Sequence, residues 1–393
     1  MKVAFVGNGR SVHVLGRCAA LARHVEARLF TLGTPWSEVE AGPALSVASQ
    51  ALPRTLPEAL RAGRTFLTAI DAWRPDVLHV HYAGGRLGAL ALLAGWRPLV
   101  LTVMGGDVLP EQHPGGRMSY WARRTTRRLL ARADAILAKA DALHGPIAAL
   151  GGDPRRVHTV RWGVDPGRFR ECRAAADRLR GRLGLRPDDK VLLSPRVLAP
   201  LYNVELLVAA MPAVLARHPT SVLLVTEYGS DPGYRASLEA LASGLELGDR
   251  VRFVGAWPGT EMAALYTLAE ATLSVPSSDG LPQCLFESLA CATPIVMGRL
   301  PIYSEVVTDG VHALLADLQP ASIATATCRL LESPTLRARL VEAGRARVSR
   351  IAELPAEAER VASLYRGLSP ARPPRPRWSP AALVDALGLA LSR

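Results

Sequence analysis

Asp279 and Glu287 lie eight positions apart in the stretch Ser277 to Val296, SSDGLPQCLFESLACATPIV. Between them stands a Gly-Leu-Pro turn, and behind them a small-residue helix runs into an apolar strand. Gly280 permits a tight turn, and Pro282 suits the first turn of a helix, where its missing N–H is no loss. The free amides of such a helix start attract an anion. A carboxylate beside a bound anion repels it unless it reaches past it, and what it then accepts from is a hydroxyl. A sugar nucleotide carries hydroxyls on both sides of its diphosphate, hexose at one end and ribose at the other. Two acids flanking a helix-capped diphosphate suit that ligand. A glycosidase pair of acid and nucleophile fits poorly, because one of the two would lie along the helix, away from the shared glycosidic bond.

Other chemistry is weaker. The loop VGNGRSVHV (Val6 to Val14) lacks the third glycine of a dinucleotide fingerprint, and no acid ends the following strand, RLFTLG, so a nicotinamide cofactor is not indicated. His81 ends an apolar strand, a place that suits a core histidine as well as an acceptor-site one. Five cysteines, Cys18, Cys172, Cys284, Cys291 and Cys328, are scattered without metal-ligand spacing. That pattern argues for packing, reduced thiols and a cytoplasmic protein, and against zinc. The segment Arg117 to Ala135 reads as a helix carrying Arg117, Arg123, Arg124, Arg127, Arg128 and Arg132, with Leu129 and Leu130 opposite. It is either a solvated face or a surface that docks on an anionic membrane, with each basic residue adding about 1 kcal/mol. Aromatic interleaving is absent there, so nucleic acid is not an expected partner.

These residues need a scaffold. The chain has 393 residues and a formal charge of +12, with 49% hydrophobic and 21% charged residues, the balance of a globular protein of two domains. Its longest apolar runs are too short to span a bilayer. Strand-like runs at 2–7, 25–33, 76–82, 98–105, 135–140 and 157–163 alternate with helical patterns. After a polar, arginine-rich interval the rhythm resumes at 190–197, 220–229, 251–256, 271–277 and 293–298. Such alternation implies parallel α/β sheets with ligands beyond the carboxyl ends of the strands. The expected organisation is a domain over 1–170, a linker over 171–189 and a nucleotide-sugar-binding domain over 190–350, which carries the two acids. A helix over 351–367 returns to the first domain, and a Pro/Arg spacer with a short tail helix fills 368–393.

The acid-bearing stretch resembles the E-x7-E signature of retaining glycosyltransferases of family four, in the form [E/D]-G-L-P-x4-E. RVHTVRWGVDPGRF (Arg156 to Phe169), SPRVLAPLYNVELLVAAM (Ser194 to Met211), DRVRFVGAWP (Asp249 to Pro258) and TPIVMGRLPIYSEVVTDGVHALL (Thr293 to Leu315) are similar to further family segments, in the same order. The resemblance implies a GT-B fold, two Rossmann-like doubly wound domains facing across a cleft. It implies transfer of a sugar from a nucleotide-sugar donor to an acceptor hydroxyl with retention, and no metal or other cofactor.

Residue by residue, the resemblance implies that Glu287 binds ribose, Asp279 contacts the transferred sugar, and Gly280, Leu281 and Pro282 supply backbone beside the diphosphate, with Ser278 also among the donor-binding residues. Arg196 neutralises phosphate, Val254 lies beside the base, and Gly9, Arg10, His13, His81 and Asp107 stand on the acceptor side, with Asp107 orienting the acceptor. Three departures stand out. The first acid is Asp279 where Glu is usual; Met104 occupies a position where many members have His; and Leu201, Tyr202 and Asn203 replace a lysine that shares the leaving charge. Tyr202 and Asn203 then offer hydrogen bonds without a full charge. A sugar-nucleotide epimerase or hydrolase, or a non-catalytic nucleotide-sugar binder, is the alternative reading. The acceptor is left open and includes a lipid-linked one at the inner membrane face.

Overall fold

The computed structural model describes residues 1–34, 43–53, 55–227, 229 and 231–368. The chain forms two compact units, Met1–Arg161 together with the segment from Leu354, and Trp162–Glu353.

The first unit is built on β1 (Lys2–Val6), β2 (Glu26–Leu32), β3 (Leu45–Gln50), β4 (Val77–His81), β5 (Leu99–Val103), β6 (Ala135–Ala138) and β7 (Val157–Thr159). All pair in parallel, in the order β3-β2-β1-β4-β5-β6-β7. The inner strands are continuous apolar runs because helices cover both faces: VLHVH and LVLTV are buried at every position. β3, LSVASQ, was not expected. It is an edge strand in which only Leu45 is buried and Ser46, Ser49 and Gln50 interrupt the apolar residues, so its apolar signal is weak. Local chemistry sets the helix starts. The Ser11 Oγ caps the helix Val12–Leu21, and Thr55 and Glu58 form a capping box on Leu56–Trp73.

The second unit holds β8 (Lys190–Ser194), β9 (Ser221–Val225), β10 (Val251–Phe253), β11 (Ala271–Ser274), β12 (Ile295–Gly298) and β13 (Leu314–Ala316), again parallel, in the order β10-β9-β8-β11-β12-β13. One face packs on Leu207, Met211, Leu238, Ile323 and Leu330, the other on Leu179, Leu185, Leu265 and Tyr266. In each unit the chain winds outward on one side of its first strand and then crosses to the other. β1 and β4, and β8 and β11, therefore become neighbours at a topological switch point, where loops diverge and side chains can converge.

Two expectations about domains change. Residues 171–189 are not a linker: the helix Arg173–Arg182 inserts Ala176 and Leu179 into the second unit's core. The boundary falls earlier, between Arg161 and Trp162. The helix Leu354–Gly367 packs with the first unit and buries Glu357, Ala358, Val361, Ala362 and Tyr365. The spacer and tail helix expected beyond it lie outside the described residues apart from Leu368. Among the described residues no helix is long and apolar enough to cross a membrane.

Candidate functional site

β11 ends at Ser274, and the loop that follows turns through Leu281, at φ 72°, before the helix Gln283–Ala290 begins. The left-handed residue is therefore Leu281 and not Gly280, and Leu281 is 1% exposed, so burial of its side chain offsets a strained backbone. Pro282 is the residue before the helix and not its first turn, and no side chain caps that end. The helix lies close against a neighbour: a Cβ on Gly344 of the helix Pro334–Ile351 would meet Leu289 Cδ2 at 2.6 Å.

Asp279 receives three donors. Its Oδ1 accepts from the Gly280 amide at 2.8 Å, and its Oδ2 is 3.0 Å from Arg196 Nη2 and accepts from the Tyr303 hydroxyl at 3.0 Å. Arg196 follows β8 and Tyr303 follows β12, so three adjacent strand ends deliver the three side chains. Arg196 lies 4.3 Å over the Tyr202 ring, with Nη1 at 3.6 Å from Cys284 Sγ. Burial alone would lower the Arg196 pKa, but the Asp279 carboxylate, with lesser help from Cys284 and the two tyrosines, holds it well above its ordinary value. The guanidinium stays charged with little exposure. The Tyr303 phenol moves up through burial and then the Asp279 charge, and the Cys284 thiol is raised by burial against the pull of Arg196.

Tyr202 and Asn203, expected to lend hydrogen bonds to the donor, have other duties. The Tyr202 ring carries Arg196. Asn203, at φ 49°, donates from Nδ2 to the Val275 carbonyl at 2.9 Å and accepts from Ser277 Oγ at 3.1 Å, which ties the β8 loop to the β11 loop. Glu287, one turn into the helix, is 6% exposed, and its Oε2 accepts from the Tyr266 hydroxyl at 2.8 Å. Ser278 is buried, as are Gly280 and Pro282. Val254 is half-buried at the end of β10, its amide bonded to the Val225 carbonyl at 3.0 Å.

In the first unit the expected acceptor-side residues divide. Arg10 and His13 are exposed beside the start of the helix Val12–Leu21. Gly9 is buried and donates to Thr31 Oγ1 at 2.8 Å, and a Cβ there would meet Thr31 Cγ2 at 2.9 Å, which explains the glycine by packing. His81 is 1% exposed, stacked on His79 with centroids 4.4 Å apart, and its Nε2 is 3.7 Å from Cys18 Sγ. Burial, with Arg17 nearby, lowers its pKa to about 3. It is a neutral core histidine. Asp107 is 0% exposed and accepts from the amides of Ala83 at 2.9 Å and of Met104 and Gly105 at 3.0 Å each. Its carboxylate shapes the loop after β5 through these amides and is sealed from solvent.

The arginine-rich helix spans Tyr120–Arg132, so Arg117 precedes it. Arg117, Arg123 and Arg127 are exposed, Arg124, Arg128 and Arg132 half-buried, and Leu129 and Leu130 fully buried. Tyr120 is 68% exposed. Among the described residues no group of three or more His, Cys, Asp or Glu is placed to hold a metal ion.

Residues 8–163 match the family described as glycosyl transferase 4-like domain, and residues 176–347 that described as glycosyl transferases group 1. A D-inositol 3-phosphate glycosyltransferase of Actinosynnema mirum is 34% identical over 371 residues, covering 84% of this chain and 85% of that relative. The chain belongs to glycosyltransferase family four. Its fold is GT-B. The Anabaena protein HepE, solved with UDP and glucose, superposes with a TM-score of 0.78 at 16% identity over 93% of this chain and 99% of that one. A sucrose-phosphate synthase of Thermosynechococcus elongatus gives 0.77 at 22% identity over 93% and 98%. As a glycosyltransferase of this family, the protein transfers a sugar from a nucleotide-sugar donor with retention. Of the two readings the sequence left open, the transferase is the one that holds.

Tyr303 and Tyr266 were missed by sequence reasoning. Both are single aromatic residues in apolar surroundings, and only the loop position of Tyr303 at the end of β12 marked it.

Proposed function

We propose that the protein transfers a hexose from a uridine-type nucleotide sugar to a hydroxyl of a small phosphate-bearing polyol. The observation that carries this reading is the Arg196–Asp279 pair at the uncapped start of the helix Gln283–Ala290, with Glu287 on the same helix. The diphosphate takes Arg196 and the first amides of the helix, Asp279 accepts from the sugar's hydroxyls and Glu287 from the ribose. In the transfer the bond from the anomeric carbon to phosphate breaks, the bond to the acceptor oxygen forms on the same face, and the acceptor's proton passes to the leaving phosphate. Arg196 and the helix end stabilise the charge that develops on that phosphate. No protein base is required. The uridine donor is suggested by HepE, solved with UDP and glucose, and the polyol phosphate by the name of the relatives. Arg10 and His13, both exposed at the first switch point, are the acceptor-side groups.

A lipid-linked acceptor is a second reading, favoured by the exposed Arg117, Arg123 and Arg127 beside the exposed Tyr120. Binding there to an anionic leaflet would place the enzyme at the inner membrane face, whereas the polyol phosphate leaves it in the cytoplasm.

A thermal-shift screen with UDP-, GDP-, TDP- and ADP-sugars tests the donor, since a ligand of the native state raises its melting point. A UDP-sugar is expected to give the largest shift, and Glu287→Ala to remove it, while Arg123→Glu with Arg127→Glu leaves it intact. No shift with any sugar nucleotide refutes the donor site. Sedimentation of that double variant with phosphatidylglycerol vesicles separates the two acceptors: only a lipid-directed enzyme loses vesicle binding.

A further inference from the structure

Tyr303 lies in the short turn Pro301–Glu305 and is 0% exposed, yet its hydroxyl points at the one carboxylate oxygen that also holds Arg196. A carboxylate has about four acceptor positions on its two oxygens. On Asp279 one of the Oδ1 positions takes the Gly280 amide, and both Oδ2 positions are taken, by Arg196 and Tyr303. The arginine is also the group with the strongest pull on a phosphate. A diphosphate that claimed Arg196 would therefore vacate one position on Oδ2.

We propose that Tyr303 is a positioning residue for donor-sugar recognition: it keeps Asp279 oriented while Arg196 changes partner from carboxylate to phosphate. This deepens the donor-site reading above and rests on it. Before the donor arrives, the Arg196–Asp279 pair is internally neutral, and Tyr202 supports the guanidinium from below at 4.3 Å. When phosphate takes the arginine, a carboxylate held only by the Gly280 amide would be free to swing about its side-chain torsions. The buried phenol removes that freedom. The vacated Oδ2 position then faces a sugar hydroxyl at a fixed angle, so sugar and phosphate are recognised together, and Tyr303 never touches either.

The test uses the full chain and the ratio of two affinities measured by calorimetry, for UDP-glucose and for UDP. In wild type UDP-glucose is expected to bind more tightly than UDP. Tyr303→Phe keeps the ring and should leave UDP affinity within about twofold while cutting UDP-glucose affinity about tenfold, which is about 1.4 kcal/mol. Asp279→Asn should show the same sugar-selective loss, and the double variant should lose no more than the single ones, as for two residues in one interaction. Equal loss of both ligands in Tyr303→Phe, or additive losses in the double variant, overturns the proposal, because a merely structural phenol would act on both ligands alike. If Tyr303→Phe fails to fold, the Asp279→Asn ratio decides: an unchanged ratio overturns the proposal. Failure of the underlying reading looks different, since wild type would then bind neither UDP nor UDP-glucose.

Discussion

Two loop carboxylates, each beyond the end of a parallel strand, were expected to face ligands, and their surroundings differ in kind. Asp107, after β5, gives its oxygens to three backbone amides and is sealed from solvent. Asp279, after β11, is held by one amide and two side chains, and one of those is a cation that a phosphate can draw away. Backbone partners cannot leave without unfolding the loop, whereas side-chain partners can exchange. Position at a strand end makes a carboxylate a candidate; the identity of its partners decides whether it is structural or available.

The same division runs through the two units. The first buries polar groups among themselves: Arg17 donates from Nε to Glu357 at 2.8 Å, and His79 bonds Tyr365 and, at 2.7 Å, Thr102. The first bond ties the helix Leu354–Gly367 to the helix Val12–Leu21, and the Tyr365 bond ties it to β4. The second unit places the little-exposed Arg196 and Asp279 side chains at its switch point, 3.0 Å apart. The most severe way to probe the contrast is to break the structural pair. Glu357→Ala leaves a buried arginine without its carboxylate and should destabilise the first unit by about 3–5 kcal/mol in urea unfolding. It should leave UDP affinity, measured below the unfolding transition, near wild type. A variant as stable as wild type would mean that the pair does not hold the helix.

Next in size is the direct exchange of the two acids. Asp107→Asn puts an NH2 group among amide donors and should lose about 1–3 kcal/mol of stability. Asp279→Asn also leaves the little-exposed Arg196 without its carboxylate and should lose a comparable amount, yet it alone should reduce donor turnover, about 10–100-fold, as transition-state contacts to the sugar weaken. Urea melts and donor-consumption assays on both variants check this. Matching profiles for the two variants would erase the distinction.

The smallest effect is in pH. Burial holds His79 and His81 below their ordinary values, His81 to about 3, with Arg17 adding repulsion. Their folded pKa values are below the unfolded one, so the unfolded chain binds more protons in mild acid. The stability they confer is present above about pH 6.5 and is lost as pH falls towards the folded values. Between pH 6.5 and 5 His81 alone should lose about 2 kcal/mol, read as a falling urea midpoint that flattens in His81→Leu. A wild-type midpoint unchanged over that interval would show that the pair takes up protons in the fold as readily as in the unfolded chain.

Much of the architecture was legible. Val- and Leu-rich runs broken by Gly and Pro mark β1, β4, β5, β8, β9, β11 and β12 because a strand buried on both faces admits little else. β3 and β13 escaped, the one because Ser46, Ser49 and Gln50 break up its apolar residues at a sheet edge, the other for having three residues. The spacing of Asp279 and Glu287 was legible too, since both belong to one loop and the helix it starts.

What local sequence determined, then, is whatever depends on near neighbours: the strand runs, the helix caps, the order of two α/β units, and two acids at a helix start. What the tertiary structure decided is which distant residues meet. Arg196, Asp279 and Tyr303 come together because β8, β11 and β12 are adjacent, and Arg17 meets Glu357 across 340 positions. Pairing between strand ends is set by the global winding of the sheet, and no short stretch of residues encodes it.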